Sequence, residues 1–350
     1  MPMRMSAAVL LFEKSERELM VCDRREDYEQ STYRTSTVIK AKAILQKLNC
    51  GHPTVLVSAS DGHLYIVKLM CGAQGPNALA NEVLGNELAR CLGLSVPEWR
   101  PIEISKECMD RYLMLFWPDC GSGLNRPGPG LHFGLRAVGQ DAGETVYEIL
   151  PANWLSKVVN RNDFLGMLLL DLWANQVGHR KAIFVSSPDN SVATAFFIDN
   201  SQMFGGFWGH EEQRRGTAMY FDRRVYAGLD VDRILNWWLQ KAIPMDESTL
   251  LCLAASIPRQ WHHGGYLQEV TAQLQTRKWF VARLLAQELR LISETSAGNE
   301  FSFKTSDQFS QLWVGQSLDD GQTDPPVRER RKRSRNMADS GRERPEDHST

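Results

Sequence analysis

Apolar and polar positions alternate with the short period of a β-strand in the first third of the chain. Residues 51–58 and 63–70 are runs rich in β-branched and aromatic residues, and Asp61-Gly62 lies between them. An Asp-Gly pair between two such runs is a strong signal for a tight hairpin. We therefore predict a β-hairpin whose second strand carries Lys68 close to its end.

The period changes to that of a helix over residues 77–92. Gly93 follows directly, as expected for the residue just past a helix C-terminus. The pattern predicts an amphipathic helix that carries Glu82. Its apolar stripe consists of Leu79, Val83, Leu84, Leu88 and Leu92.

The later part of the chain is patterned mainly for helices. Residues 164–174 form an apolar run of about 11 residues that contains Asp171, far below the ~20 residues needed to span a bilayer, so we predict a buried core helix. Two short strands, 183–185 and 195–198, are expected to form a hairpin. Further helices are predicted over 232–241 and 267–291, with Trp237, Trp238, Trp261, Trp279 and Phe280 as core anchors.

Three charged residues lie at the ends of predicted strands or on a predicted helix. Lys68 ends an apolar strand, Glu82 follows on a helix, and Asp199 ends the later strand. Binding of nucleotide phosphates in kinases needs a lysine, a helix carboxylate that holds the lysine, and a strand-end carboxylate for Mg²⁺. The order of the three residues therefore indicates a kinase-type nucleotide site.

A series of short segments, in one order along the chain, carries a family resemblance. They are Asn77-Ala78-Leu79-Ala80-Asn81-Glu82-Val83-Leu84, Leu88-Ala89-Arg90-Cys91-Leu92-Gly93-Leu94, Val96-Pro97-Glu98, His132-Phe133-Gly134, Asp171-Leu172-Trp173, Arg180-Lys181-Ala182-Ile183-Phe184, Phe197-Ile198-Asp199-Asn200 and Ile257-Pro258-Arg259-Gln260-Trp261. Together with the hairpin, this series resembles the HipA-like kinase family over roughly residues 35 to 290.

The resemblance implies an α+β, two-lobed protein-kinase-like fold with a small sheet-containing N-lobe and a mostly helical C-lobe. It implies ATP and Mg²⁺ as cofactors, with Lys68 and Glu82 binding the nucleotide and Asp199 the metal. We expect four regions: an N-terminal extension (1–34), a nucleotide-binding N-lobe (35–118), a helical C-lobe with a catalytic-type loop (119–296) and a polar, disordered tail (297–350).

The loop before the 183–185 strand departs from the family pattern. The resemblance places the catalytic aspartate at Gly178 or Val177, depending on the alignment, and the metal-binding asparagine at Ala182. No carboxylate occurs between Leu172 and Pro188. Substitutes for the missing groups are Asp171, which could instead join helix and loop, His179, whose imidazole can act as a general base, and Lys181, which could neutralise phosphate charge.

Composition narrows the class of protein further. The chain has 43% hydrophobic residues and a net charge of −2, which gives a sizeable core and no overall field that would select nucleic acid or a membrane. Its seven cysteines are scattered, which is typical of reduced thiols, and no signal peptide is recognisable, so we expect a cytoplasmic protein. The basic run 328–335 is interpreted as a solvated tail, the one place where nucleic acid could bind.

Three hypotheses follow. The first is an ATP- and Mg²⁺-dependent kinase with a degenerate catalytic loop that phosphorylates a Ser/Thr hydroxyl on a protein; the partner expected is a protein substrate or an antitoxin-like protein. The second is a pseudokinase that binds nucleotide and acts through partner binding. The third is a kinase-fold enzyme with a small-molecule acceptor, because the fold does not choose the acceptor.

Overall fold

Two sheets and a set of packed helices make up this α+β protein. The structure is a computed structural model, and it describes residues 37–48, 52–71, 77–116, 126–206 and 218–295. The predicted N-terminal extension and polar tail, 1–34 and 297–350, lie outside the described residues.

The first sheet is a closed five-stranded barrel in the order β1-β2-β3-β5-β4. β1 and β4 are parallel and close the barrel, and the other neighbouring pairs are antiparallel. Alternate residues fill its interior, with Val55, Val57 and Val67 fully buried. The strands are β1 (Ile39–Leu48), β2 (Thr54–Ala59), β3 (Leu64–Lys68), β4 (Trp99–Ile104) and β5 (Gly130–Arg136).

The predicted hairpin is confirmed as β2 and β3. Gly62 at its tip has a φ angle of +88°, which glycine adopts without steric cost. Lys68 ends β3 and lies between Thr54 of β2 and Phe133 of β5. β5 belongs to the barrel although it follows residue 118, where the expected N-lobe ends, so the four-region division stays a prediction.

The predicted helix at 77–92 is confirmed as α1 (Asn77–Cys91). It is buried on nearly all sides, since 13 of its 15 residues are buried. It is therefore a central helix and not one with a solvated face. The Leu94 N–H donates to the Ala89 carbonyl at 2.9 Å, and Gly93 has a φ angle of +73°, so the predicted glycine termination is also confirmed.

The second sheet has three antiparallel strands in the order β6-β7-β8. They are β6 (Thr145–Tyr147), β7 (Lys181–Ser186) and β8 (Ala193–Ile198), of which the last two are the predicted hairpin. The remaining helices are α2 (Lys106–Phe116), α3 (Asp163–Trp173), α4 (Val231–Ala242), α5 (Glu247–Ala254), α6 (Tyr266–Arg277) and α7 (Val281–Thr295).

Packing around α3 fixes the core of the helical part. All residues from Phe164 to Trp173 are buried, as predicted. Gly166 is required because a Cβ there would lie 2.2 Å from the Trp238 ring. None of the described helices combines the length and the apolar character needed to cross a membrane.

Two expectations about the later helices are wrong. The predicted helix 267–291 is two helices, α6 and α7, separated at residues 278–280. Trp238 and Trp261 are fully buried, but Trp279 is 61% exposed, and Trp237 and Phe280 are also exposed. The aromatic ring of Trp237 instead lies beneath the Lys241 ammonium, 3.7 Å from the ring centre.

Candidate functional site

The structure brings Lys68, Glu82 and Asp199 together. The Lys68 ammonium donates to Glu82 Oε1 and to Asp199 Oδ1, the latter at 2.7 Å. These side chains come from the end of β3, from α1 and from the residue after β8. Lys181, the first residue of β7, reaches the other oxygen of the same carboxylate, with 2.7 Å between Nζ and Oδ2.

Glu82 has a second role in this cluster. Its oxygens accept the backbone N–H groups of Asn200 (3.0 Å) and Ser201 (2.9 Å). The Glu82 side chain is only 1% exposed. One carboxylate therefore fixes both the lysine and the chain segment that follows Asp199. Asp199 itself has a φ angle of +73°, a strained conformation for a residue other than glycine.

Electrostatics keep the members of the cluster charged. Burial alone disfavours the charged form of Lys68, but Glu82 and Asp199 raise its pKa above the ordinary value. Burial likewise acts against ionised Asp199, but the Lys68 and Lys181 ammonium groups hold its pKa well below the usual range. An ammonium that stays protonated is a suitable partner for a phosphate.

Asp171 pairs with Arg180 and is remote from solvent. Arg180 Nε donates to Asp171 Oδ2 at 2.8 Å, Nη2 donates to Oδ1, and Asp171 is fully buried. Arg180 Nη1 also donates to the Ile198 carbonyl at 2.7 Å and to Asn200 Oδ1 at 3.0 Å. Of the two roles open to Asp171, this geometry favours the structural one, since both of its oxygens are engaged in joining α3 to the loop.

The loop between α3 and β7 pairs by its backbone with the segment after Asp199. Val177 N–H donates to the Gln202 carbonyl at 3.0 Å. At Gly178, one of the two positions expected for a catalytic base, an added Cβ would lie 2.8 Å from Gln202 Cγ. Gln202 therefore covers that position. Ala182, at the expected metal-asparagine position, is buried.

His179 at the end of the loop and Lys181 at the start of β7 are both exposed. The imidazole of His179 is exposed, and the Lys181 side chain is 60% exposed. Lys181 joins the cluster through Asp199. Among the described residues, Glu82 and Asp199 are the two carboxylates that contact Lys68 or Lys181. The loop thus supplies a cation and an imidazole, but no carboxylate.

A cavity of about 630 Å³ lies along the same hairpin, β7–β8. Val185, Thr194 and Phe196 line it from the hairpin, and Arg136 lines it from β5. Lys181 pairs with Ile198 and Val185 pairs with Thr194 across the hairpin. Since every second residue of a strand points to the same face, all four lie on one face of the hairpin. Lys181 and Val185 are four positions apart, which is about 14 Å along a strand. The volume is in the range of small-molecule sites, about 300–1,000 Å³.

Two buried histidines lie at the end of the barrel that carries Lys68. His52 Nε2 lies 2.8 Å from the Leu69 carbonyl, and His132 Nδ1 accepts the Met70 N–H at 2.8 Å. Burial, and for His52 also the Lys68 charge, lowers the pKa of each to about 4. Both are therefore neutral at pH 7, so neither adds a positive charge beside Lys68.

Sequence analysis assigned no role to several residues that organise the site. A basic partner for Asp171 such as Arg180 could have been predicted, because a carboxylate inside an apolar helix has to be paired. The role of Asn81 could not have been predicted, because its partners are more than 100 residues away in sequence. Its side-chain amide donates to the Ser201 and Met203 carbonyls at 3.0 and 2.9 Å. Ser201 Oγ donates to Asp199 Oδ1 at 3.1 Å.

Comparisons with known proteins give only distant likenesses. Neither a family model nor a curated protein sequence matches the chain. A structure of the Golgi casein kinase matches with 9% identity and a TM-score of 0.44 over 75% of this chain and 76% of that one. The same kinase with Mn/ADP bound matches with 11% identity and a TM-score of 0.44 over 78% of each chain. The proinflammatory kinase CtkA of Helicobacter pylori matches with 10% identity and a TM-score of 0.44 over 73% of this chain and 96% of that one.

All three solved structures are of kinases. At a TM-score of 0.44 the likeness carries no argument about what this chain does. The function has to be argued from the contacts of the site itself.

Proposed function

We propose that this protein binds ATP between the barrel and the β7–β8 hairpin, and that its capacity for phosphoryl transfer is strongly reduced. The observation that carries the proposal is the contact of Lys68 with both Glu82 and Asp199, the latter 131 residues away in sequence. Kinase nucleotide sites need a lysine–glutamate ion pair for phosphate binding and an aspartate close to the phosphates, and these three residue types meet here.

Each part of the site has a role in this proposal. Lys68 attracts the phosphates, and Glu82 fixes the position of its ammonium. The base extends from the cluster towards the 630 Å³ cavity, whose lining includes the half-buried Phe196 but no residue of the cluster itself. Ile66 lies two residues before Lys68 on the same face of β3 and is also half-buried, so it can cover the base from the barrel side.

The loop argues against efficient transfer. A positioned general base contributes about 10²–10⁴-fold to a reaction of this kind, and the loop places no carboxylate at Val177 or Gly178. Gln202 also covers the Gly178 position. A protein that binds ATP without efficient transfer can act as a nucleotide-dependent binding partner. A ligand that binds one conformation more tightly shifts the conformational equilibrium of the protein towards it.

A second candidate function is slow protein phosphorylation with His179 as the base. The observation that favours it is the exposure of the His179 imidazole, two residues before Lys181. In this case Lys181 would neutralise the transferred phosphate, and a Ser/Thr hydroxyl would be the acceptor.

The finer sequence predictions belong to this proposal as well. They are membership of the HipA-like family, the two-lobed arrangement, a cytoplasmic location and a protein substrate or antitoxin-like partner. The Lys68–Glu82 pair supports a nucleotide ligand, and the fit of Mg²⁺ depends on the donor set around Asp199.

A transfer assay tests the proposal. The full chain is incubated with γ-labelled ATP and Mg²⁺, alone and with a cell lysate, and label transfer to protein is measured. We expect little transfer from the unmodified protein. Gly178→Asp combined with Gln202→Ala should raise transfer by up to about 10²–10⁴-fold, since it adds a carboxylate and removes the side chain that covers it.

Gln202→Ala alone and His179→Ala are the controls. Gln202→Ala should leave transfer low, because it adds no base. Fast transfer by the unmodified protein would contradict the proposal. If that transfer were lost in His179→Ala, the second candidate function would replace the first.

A further inference from the structure

The carboxylate expected to bind a divalent metal is already shared by two lysines. Asp199 Oδ1 accepts from Lys68 Nζ (2.7 Å) and from the Ser201 hydroxyl (3.1 Å). Oδ2 lies 2.7 Å from Lys181 Nζ. A cation at either oxygen would have to displace an ammonium group that already neutralises the carboxylate.

The other residues do not complete a metal site. Mg²⁺ needs near-octahedral oxygen coordination, and the protein usually provides one or two carboxylates with free oxygens. Glu82 is the second carboxylate of the cluster, but its oxygens accept from Lys68 and from two backbone N–H groups. Ala182 replaces the expected amide ligand. The described residues contain no group of three His, Cys, Asp or Glu side chains that could hold a metal ion. The donor set therefore does not fit Mg²⁺.

Lys181 has the properties of a substitute for the missing cation. Its ammonium contacts Asp199 Oδ2 while Lys68 contacts Oδ1, and its side chain is 60% exposed, so it can exchange one anionic partner for another. The lysine ammonium is a compact point charge on a flexible stem, suited to a phosphate group. Together, Lys68 and Lys181 place two positive charges around one carboxylate.

We propose that the protein binds nucleoside triphosphates without a divalent metal, and that Lys181 supplies at the terminal phosphates the charge that the metal supplies in kinases. The inference rests on the proposed nucleotide site. It assigns Asp199 the task of positioning the two ammonium groups.

Fluorescence anisotropy with a ribose-labelled ATP analogue tests this inference on the full chain. The dissociation constant is measured in excess Mg²⁺ and in excess chelator. For the unmodified protein, the two values should agree within about fivefold. Lys181→Ala should weaken binding in chelator by about tenfold or more, as expected when one charge next to a phosphate is removed from a partly exposed site.

Lys106→Ala is the matched control, because Lys106 is also an exposed lysine paired with an aspartate, 2.5 Å from Asp110 on α2. It should bind like the unmodified protein in both buffers. The inference is overturned if chelator weakens binding by the unmodified protein more than fivefold, or if Lys181→Ala keeps full affinity in chelator. Absence of binding in both buffers would instead overturn the nucleotide site itself.

Discussion

At the scale of single residues, Glu82 has more partners than an ion pair with Lys68 would require. It also accepts the backbone N–H groups of Asn200 and Ser201, so it sets the path of the chain after Asp199. The sequence could predict the Lys68–Glu82 pair, because phosphate binding prescribes those residue types in that order. It could not predict the contacts with residues 200 and 201, which depend on how α1 lies against β8.

The two histidines near Lys68 make stability depend on pH. The folded protein holds His52 and His132 neutral, with pKa values of about 4, against about 6.5 in the unfolded chain. Their contribution is complete above pH 6.5 and is lost as the pH falls towards 4. By linkage, lowering the pH from 7.5 to 5 should cost at most about 2 kcal/mol of unfolding free energy for each histidine.

Urea unfolding at the two pH values measures this loss. The variant His52→Gln with His132→Asn keeps a side-chain amide near the Leu69 carbonyl and an acceptor near the Met70 N–H, without a titrating ring. Its stability should change less between pH 7.5 and 5 than that of the unmodified protein. An equal loss in both proteins would show that other groups cause the pH dependence.

At the scale of elements, the sequence predicted those whose signal is local. The β2–β3 hairpin has Asp-Gly at its tip, and α1 has an apolar stripe followed by glycine, so both were found with nearly correct ends. β1 and β4 were not predicted. β1 contains Ala, Lys and Gln, which have little intrinsic preference for strands, and it becomes a strand through pairing with β2 and with Ile102 and Glu103 of β4.

The position of α1 depends on a buried polar contact, which a pair of variants can test. Asn81 joins α1 to the carbonyls of Ser201 and Met203 and accepts from the Tyr266 hydroxyl. Asn81→Ala should weaken ATP binding by about tenfold or more, because α1 carries Glu82. It should also destabilise the fold by about 2–4 kcal/mol, since buried partners lose their hydrogen bonds.

Asn86→Ala is the control for this test. Asn86 is buried on the same helix, but its amide donates to the Pro97 carbonyl, away from the segment after Asp199. It should lower the melting temperature while ATP affinity, measured by equilibrium dialysis well below the melting point, stays close to that of the unmodified protein. If both variants lost affinity equally, the effect would be one of general stability.

At the scale of the whole molecule, the site is assembled by contacts between distant parts of the chain. Lys68 meets Asp199 across 131 residues, and Trp261 Nε1 donates to the Leu131 carbonyl at 3.2 Å across 130. Trp173 Nε1 donates to the Leu274 carbonyl at 2.8 Å and fixes α3 against α6. Sequence analysis could name the site residues but not the coverage of Gly178 by Gln202 or the approach of Lys181 to Asp199, because both follow from this long-range packing.

The central claim is that Lys68 organises an ATP site, and isothermal titration calorimetry tests it most directly. The full chain is titrated with ATP, and so are Lys68→Met, which keeps most of the apolar stem, and Lys106→Ala as the charge-matched control. Thermal melts confirm that each variant is folded. We predict one bound ATP per chain for the unmodified protein and for Lys106→Ala, and affinity at least tenfold weaker for Lys68→Met. Absence of binding by the unmodified protein, or equal affinity in a folded Lys68→Met variant, would contradict the claim.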